Sequence, residues 1–128
     1  YGVSTSPDGS RVYVTNAVSN NVSVINTATN AVVATIAVGN QPYGVSNSPD
    51  GSRVYVTNFG SDNVSVTNTA TNTVMANIPV GYNSFGVSTS PDGSRVYVAN
   101  PGSNYLSVIN TATNTVVATI AVGNFPLA

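Results

Sequence analysis

Apolar residues fall along the chain in short runs rich in Val, Tyr, Ile and Thr, and Gly, Pro, Asn, Asp and Ser fill the gaps between them. That punctuation predicts β-strands joined by tight connections. In the first part of the chain the predicted strands are residues 2–6, 11–15, 22–26 and 31–38. No stretch carries an apolar stripe at helical spacing for more than a turn, so no helix is predicted. The first connection, Ser6-Pro7-Asp8-Gly9, has the chemistry of a tight turn: Pro presets φ, Asp can accept from N–H groups ahead of it, and Gly follows. Thr27-Ala28-Thr29-Asn30 makes a second turn, with hydroxyl and amide groups available to the turn backbone.

The same four runs return twice more. Residues 1–42, 43–84 and 85–126 align without gaps, matching at 30 of 42 positions (first and second copies), 34 (first and third) and 28 (second and third). Three blades are therefore expected at 1–42, 43–84 and 85–126, with 127–128 read as the start of a truncated fourth repeat. Four strands in about 40 to 45 residues is the repeat of a β-propeller blade, whose strands run outward from a central channel. The expected fold is all-β: three four-stranded antiparallel blades forming part of a ring. Small residues in the first strand, Gly2-Val3-Ser4-Thr5, suit a crowded axis, and the apolar fourth strand suits packing between blades. A β-solenoid or a sandwich of hairpins is the alternative.

Arg11-Val12-Tyr13-Val14-Thr15-Asn16 and Arg53-Val54-Tyr55-Val56-Thr57-Asn58, each preceded by Ser-Pro-Asp-Gly-Ser, resemble the YVTN-type β-propeller repeat. The third copy departs from it with Tyr97-Val98-Ala99-Asn100, and Asn26, Asn68 and Asn110 stand where that family more often has Asp. The resemblance spans essentially the whole chain. It implies an exported or surface-layer-like prokaryotic protein in which the propeller is a scaffold or interaction module. Relatives that bind cofactors or do redox chemistry use His and other ligands that are missing here.

Charge is scarce. Four acidic and three basic residues make up 5% of the 128, against about 25% in an ordinary domain. Cys, His, Lys, Glu and Trp are absent. These absences exclude His or Cys metal ligands, Ser-His-Asp and Cys-His couples, a Schiff-base Lys and disulfides within the chain. A net charge of −1 with three Arg does not draw a phosphate backbone, so no nucleic-acid partner is expected. No apolar run approaches the roughly 20 residues of a membrane helix, so no membrane insertion is expected either. Asp8, Asp50 and Asp92, each three residues before Arg11, Arg53 and Arg95, fit a turn bond plus an exposed ion pair. One Asp per blade is too few for calcium, and carboxylates on different blades are expected to lie too far apart for paired acid–base work. No catalytic, cofactor-binding or metal residue is assigned, and no cofactor is expected.

Closed propellers hold four to eight blades, so three leave apolar faces bare. A homodimer giving six blades is the leading expectation; other blades of a longer chain, or head-to-tail stacking into a filament, are the alternatives. The leading functional expectation is a non-enzymatic, extracellular structural or binding module. The alternatives are part of a larger propeller enzyme or cofactor-binding protein whose chemistry lies on other blades, and a designed or amplified repeat with no ligand. Across the copies, seven of ten positions vary in the second-to-third-strand and blade-to-blade connections, and none of eight in the two turns at the other end. The variable end gives the candidate interaction face for a protein or glycan: Asn20, Asn21, Gln41, Phe59, Asp62, Tyr82, Asn83, Pro101, Tyr105 and Phe125. Asn21 and Asn63 also open Asn-Val-Ser sequons, which matter only in an exported chain.

Overall fold

A computed structural model describes residues 2–127. Tyr1 and Ala128, which fall in the expected first blade and fourth repeat, lie outside the described residues. Twelve strands form three sheets in chain order. Blade 1 holds β1 (Val3–Thr5), β2 (Arg11–Asn16), β3 (Asn21–Asn26) and β4 (Ala31–Ala37). Blade 2 holds β5 (Pro42–Asn47), β6 (Arg53–Asn58), β7 (Asn63–Asn68) and β8 (Thr73–Pro79). Blade 3 holds β9 (Val87–Thr89), β10 (Arg95–Asn100), β11 (Tyr105–Asn110) and β12 (Thr115–Ala121). Every neighbouring pair within a blade is antiparallel. The inner strand of blade 1 is shorter than the sequence predicts and the middle strands are longer, each by about one residue at an end. Among the described residues no helix is long and apolar enough to cross a membrane.

The turn chemistry read from the sequence is realised. Gly9 N–H donates to the Ser6 carbonyl at 2.9 Å, and Gly9 takes the left-handed φ of 76° that favours glycine. Asp8 Oδ1 accepts from Ser6 Oγ (2.8 Å), Ser10 N–H (2.9 Å) and Ser10 Oγ (2.7 Å). Asp50 and Asp92 do the same with their own serines. Thr27, Thr69 and Thr111 donate their hydroxyls to the carbonyls of Gly9, Gly51 and Gly93, which ties the outer turn of each blade to the inner one.

Two apolar seams hold the blades together. Tyr13, Val22, Val24 and Ile36 of blade 1 close over Val54 and Val56 of blade 2. Tyr55, Val64, Val66 and Ile78 of blade 2 close over Val96, Val98 and Ile109 of blade 3. A register shift in each outer strand lets it serve both sides. In β8 the shift falls between the partners Val66 and Thr67, so Ala76 and Ile78 pair with Val66 and Val64, whereas Val74 pairs with Thr67. Ala76 and Ile78 therefore pack toward blade 3 and Val74 toward blade 1.

Near the axis the seam is polar and tight. Thr15 Oγ1 accepts from the Gly2 N–H (2.8 Å) and donates to the Tyr43 carbonyl of the next blade (2.9 Å). Thr57 repeats this with Gly44 (2.8 Å) and Phe85 (2.6 Å). A Cβ on Gly44 would collide with the Phe85 carbonyl and lie 2.7 Å from Thr57 Oγ1, so only glycine fits. The threonine of the repeated tetrapeptide is thus a clasp between blades. Blade 3 has Ala99 at that position. Side-chain bonds from Ser4 to Asn47 (2.7 Å) and between Ser46 and Thr89 (2.9 Å) continue the seam along the inner strands.

Candidate functional site

The two ends of the structure carry different groups. At the end with the Pro-Asp-Gly turns, a cleft of about 320 Å³ lies between blades 1 and 2, lined by Asp8, Arg11 and Tyr13 on one side and Asp50 and Thr69 on the other. Its counterpart between blades 2 and 3, about 280 Å³, presents Asp50, Arg53 and Tyr55 to Asp92 and Thr111. Two sequence expectations change here. Carboxylates of adjacent blades share a cleft rather than lying far apart, because adjacent inner turns stand side by side around the axis. The expected Asp–Arg ion pair does not hold the turn: Arg11 Nη1 donates to the Ser10 carbonyl (3.0 Å), and Asp8 is bound by serines.

Those bonds set the acidity. Asp8, Asp50 and Asp92 are each held down at about 2, first by the N–H of Ser10, Ser52 or Ser94 and then by serine hydroxyls. Burial pushes the Tyr13 and Tyr55 phenols up. Ionised, exposed carboxylates and neutral phenols at neutral pH make these clefts polar turn surfaces, not acid–base pairs. Among the described residues no three metal-binding side chains cluster.

At the other end, most of the predicted interaction residues turn out to hold the connections. Asn20 and Asp62, both with left-handed φ, accept through Oδ1 from the N–H of Gln41 (2.9 Å) and Asn83 (2.7 Å). Asn104, which the sequence reading passed over, holds Phe125 in the same way at 2.7 Å. Gln41, Asn83 and Phe125 are themselves left-handed, with φ of 51°, 58° and 57°. Asp62 is therefore an Asn-like latch rather than a free loop carboxylate. Asn21 accepts from Asn16 Nδ2 at 2.8 Å, and Asn63 from Asn58 Nδ2 at 2.7 Å, so both sequon side chains pin hairpins. In blade 3 Tyr105 takes the place of Asn21, and Asn100 Nδ2 donates to its carbonyl (3.2 Å). Pro101 is buried, whereas the rings of Tyr82 and Phe125 are exposed.

Phe59 is half-buried in an aromatic group with Tyr43 and Phe85, its centroid 5.1 Å from Tyr43 and 6.3 Å from Phe85. Beside it a hollow of about 630 Å³ opens between the tips of blades 1 and 2, lined by Ala17, Val18, Asn20, Asn40, Gln41 and Tyr43 together with Gly60. A further hollow of about 400 Å³ lies along the inner strands, where Gly44, Val45 and Val87 meet Tyr97, Leu106 and Leu127. Internal repetition marks the blades, but the hollows are invisible to it because they depend on how two blades meet.

Antiparallel four-stranded blades around an axis, fastened at their inner strands, define a β-propeller. The sequence matches the YNCE-like β-propeller family over residues 2–78, and the chain belongs to that family. No curated protein matches the sequence. Among solved structures, the fold is similar to Kuenenia stuttgartiensis hydrazine synthase, with TM-score 0.95 and 33% identity over 98% of this chain and 36% of that one. It is also similar to a protein of unknown function from Desulfotomaculum acetoxidans (TM-score 0.87, 20% identity, 98% and 43%) and to the dihydro-heme d1 dehydrogenase NirN (0.78, 21%, 91% and 25%). The chain thus spans less than half the length of each of these three structures. These likenesses correct the leading functional expectation. A non-enzymatic extracellular module closing as a homodimer finds no support, since hydrazine synthase, 33% identical, is an enzyme by name and the likeness is to one part of a longer chain.

Proposed function

We propose that these three blades are part of a longer propeller that acts as an enzyme or cofactor-binding protein, with its reacting groups on other blades. The observation that carries this reading is an unfinished seam. Tyr97, Ile120 and Val122 of blade 3 are exposed, although the equivalent Tyr55 and Ile78 of blade 2 are buried under the next blade. On the opposite flank Val3 and Val32 of blade 1 are bare, where Val45 and Val74 of blade 2 pack against a neighbour. A face already built twice to receive a blade fits a third blade better than water. The 33% identity to part of hydrazine synthase supports the enzyme half of the reading. In that setting this chain supplies a rigid arc of wall, stiffened by the threonine clasps and by connections held at both ends.

Amide hydrogen exchange tests the structural half, comparing this chain alone with the same residues in a longer propeller. Protection in β1–β4 and β9–β12 is expected to rise toward that of β5–β8 when flanking blades are present. Equal protection in both settings counts against it. Absorption spectroscopy, metal analysis and turnover assays on the longer chain test the chemical half; a chain with no bound group and no turnover overturns it.

A further inference from the structure

Asp8-Gly9, Asp50-Gly51 and Asp92-Gly93 are reactive bonds as well as turns. An aspartate followed by glycine can rearrange, because no side chain hinders attack by the glycine nitrogen on the carboxyl carbon Cγ. An N–Cγ bond forms, the Cγ–O bond breaks, and the hydroxyl of the protonated carboxyl leaves with the amide proton as water. The five-membered imide then takes water back. Opening at the former main-chain carbonyl leaves isoaspartate, with Cβ and Cγ in the backbone and a free α-carboxylate.

Each turn restrains both partners in that step. The glycine N–H is committed: Gly9, Gly51 and Gly93 donate to the carbonyls of Ser6, Ser48 and Ser90 at 2.9, 3.0 and 2.9 Å. The carboxylate is fixed by its two serines, and the first of these is fastened in turn. Ser6, Ser48 and Ser90 Oγ each accept from the N–H of Arg11, Arg53 or Arg95 at 3.0 Å while donating to the aspartate. Held ionised down to about 2, these carboxyls have no hydroxyl to lose at neutral pH.

The clamp is the same in all three turns, but the cover over the glycine is not. A side-chain carbon placed on Gly51 would lie 3.6 Å from Pro7 Cδ, and one on Gly93 would lie 3.3 Å from Pro49 Cδ. The proline of one blade thus stands against the glycine of the next, and both glycines are half-buried. Gly9 is exposed, and a carbon there would meet nothing within 4 Å. Ring closure must swing the Asp–Gly peptide so that its nitrogen faces Cγ. A packed proline resists that swing, and Gly9 has none.

We propose that the serine clamp guards the three Asp-Gly bonds against rearrangement, and that Asp8-Gly9, with no proline against its glycine, is this chain's site of spontaneous isoaspartate formation. The product lengthens the main chain by one carbon and takes the carboxylate away from Ser6 and Ser10, so the turn between β1 and β2 opens. This goes beyond the longer-propeller reading and does not depend on it.

The test ages the intact chain at neutral pH and body temperature, folded and in guanidinium chloride. Cleavage after Arg11, Arg53 and Arg95 puts each Asp-Gly in its own fragment, and electron-transfer mass spectrometry tells isoaspartate from aspartate. In denaturant the three sites are expected to rearrange at one rate. In the folded chain Asp50 and Asp92 should be at least tenfold slower than that, and Asp8 the fastest of the three by severalfold. Ser52→Ala, which removes one clamp hydroxyl, should speed Asp50. Pro49→Ala, which uncovers Gly93, should bring Asp92 up to the rate of Asp8. Asp8 is the internal control in both variants, since its rate should not move while the chain stays folded. Equal rates at the three sites of the folded chain, no slowing on folding, or no response at Asp50 and Asp92 to the two substitutions overturns the proposal.

Discussion

Ile36, Ile78 and Ile120 occupy the same place in three near-identical copies, yet the first two are 3% exposed and the third 47%. Tyr13, Tyr55 and Tyr97 repeat the contrast at 2%, 2% and 36%. Local sequence gives each residue its strand and its side of the sheet. The neighbouring blade decides whether that side is core or surface. The difference isolates the energetic worth of a seam, because backbone, side chain and register are held constant while the cover is removed.

The largest effect should come from Ile78→Ala, which leaves a cavity in a closed seam and costs about 2–4 kcal/mol in chemical denaturation. Ile120→Ala, with half its surface already in water, should cost under about 1 kcal/mol. Equal losses would mean that the blade 3 face is covered in solution. Thr57→Ala comes next. It strips the Gly44 N–H of its side-chain acceptor and the Phe85 carbonyl of a donor at a closed seam, and should cost about 1–3 kcal/mol. Ala99→Thr, placing the same hydroxyl at a position that is 4% exposed but meets no carbonyl of a following blade among the described residues, should bring no gain in stability, and a gain as large as the Thr57 loss would break the comparison.

Smaller again is the latch at Asp62. Asp62→Ala should cost about 1 kcal/mol by orphaning the Asn83 N–H, whereas Asp62→Asn, copying Asn20 and Asn104, should cost less than about 0.5 kcal/mol. The last prediction concerns acid and carries no difference between blades. Asp8, Asp50 and Asp92 sit at about 2 in the fold against 3.8 without their bonds. Each thus contributes stability that is complete above pH 4 and lost as pH falls toward 2. Hydrogen exchange at Ser10, Ser52 and Ser94 should quicken together over that window. One turn opening at higher pH than the others would show that seam cover reaches this end too.

Strands and turns were legible because their causes are local: a Pro-Asp-Gly turn carries its own hydrogen-bond partners in Ser6 and Ser10. The candidate site was less so. Gln41, Asn83 and Phe125 vary among the copies because the Asn or Asp one blade-tip earlier holds their backbone and leaves their side chains free. Variation there reads as a binding face when it first records a position fixed through its N–H. The clasp was half visible, since Thr15 and Thr57 give way to Ala99, but only the approach of Gly44 to the Phe85 carbonyl gives that change a meaning.

The register shift in β4, β8 and β12 has a consequence for how such a chain grows. By turning part of the outermost strand one way and the rest the other, it gives a single 42-residue unit two flanks that fit each other. A unit whose left side is complementary to its own right side needs no redesign to be copied: duplication of the coding segment creates a matching joint at once. The closeness of the three copies is what such self-matching permits.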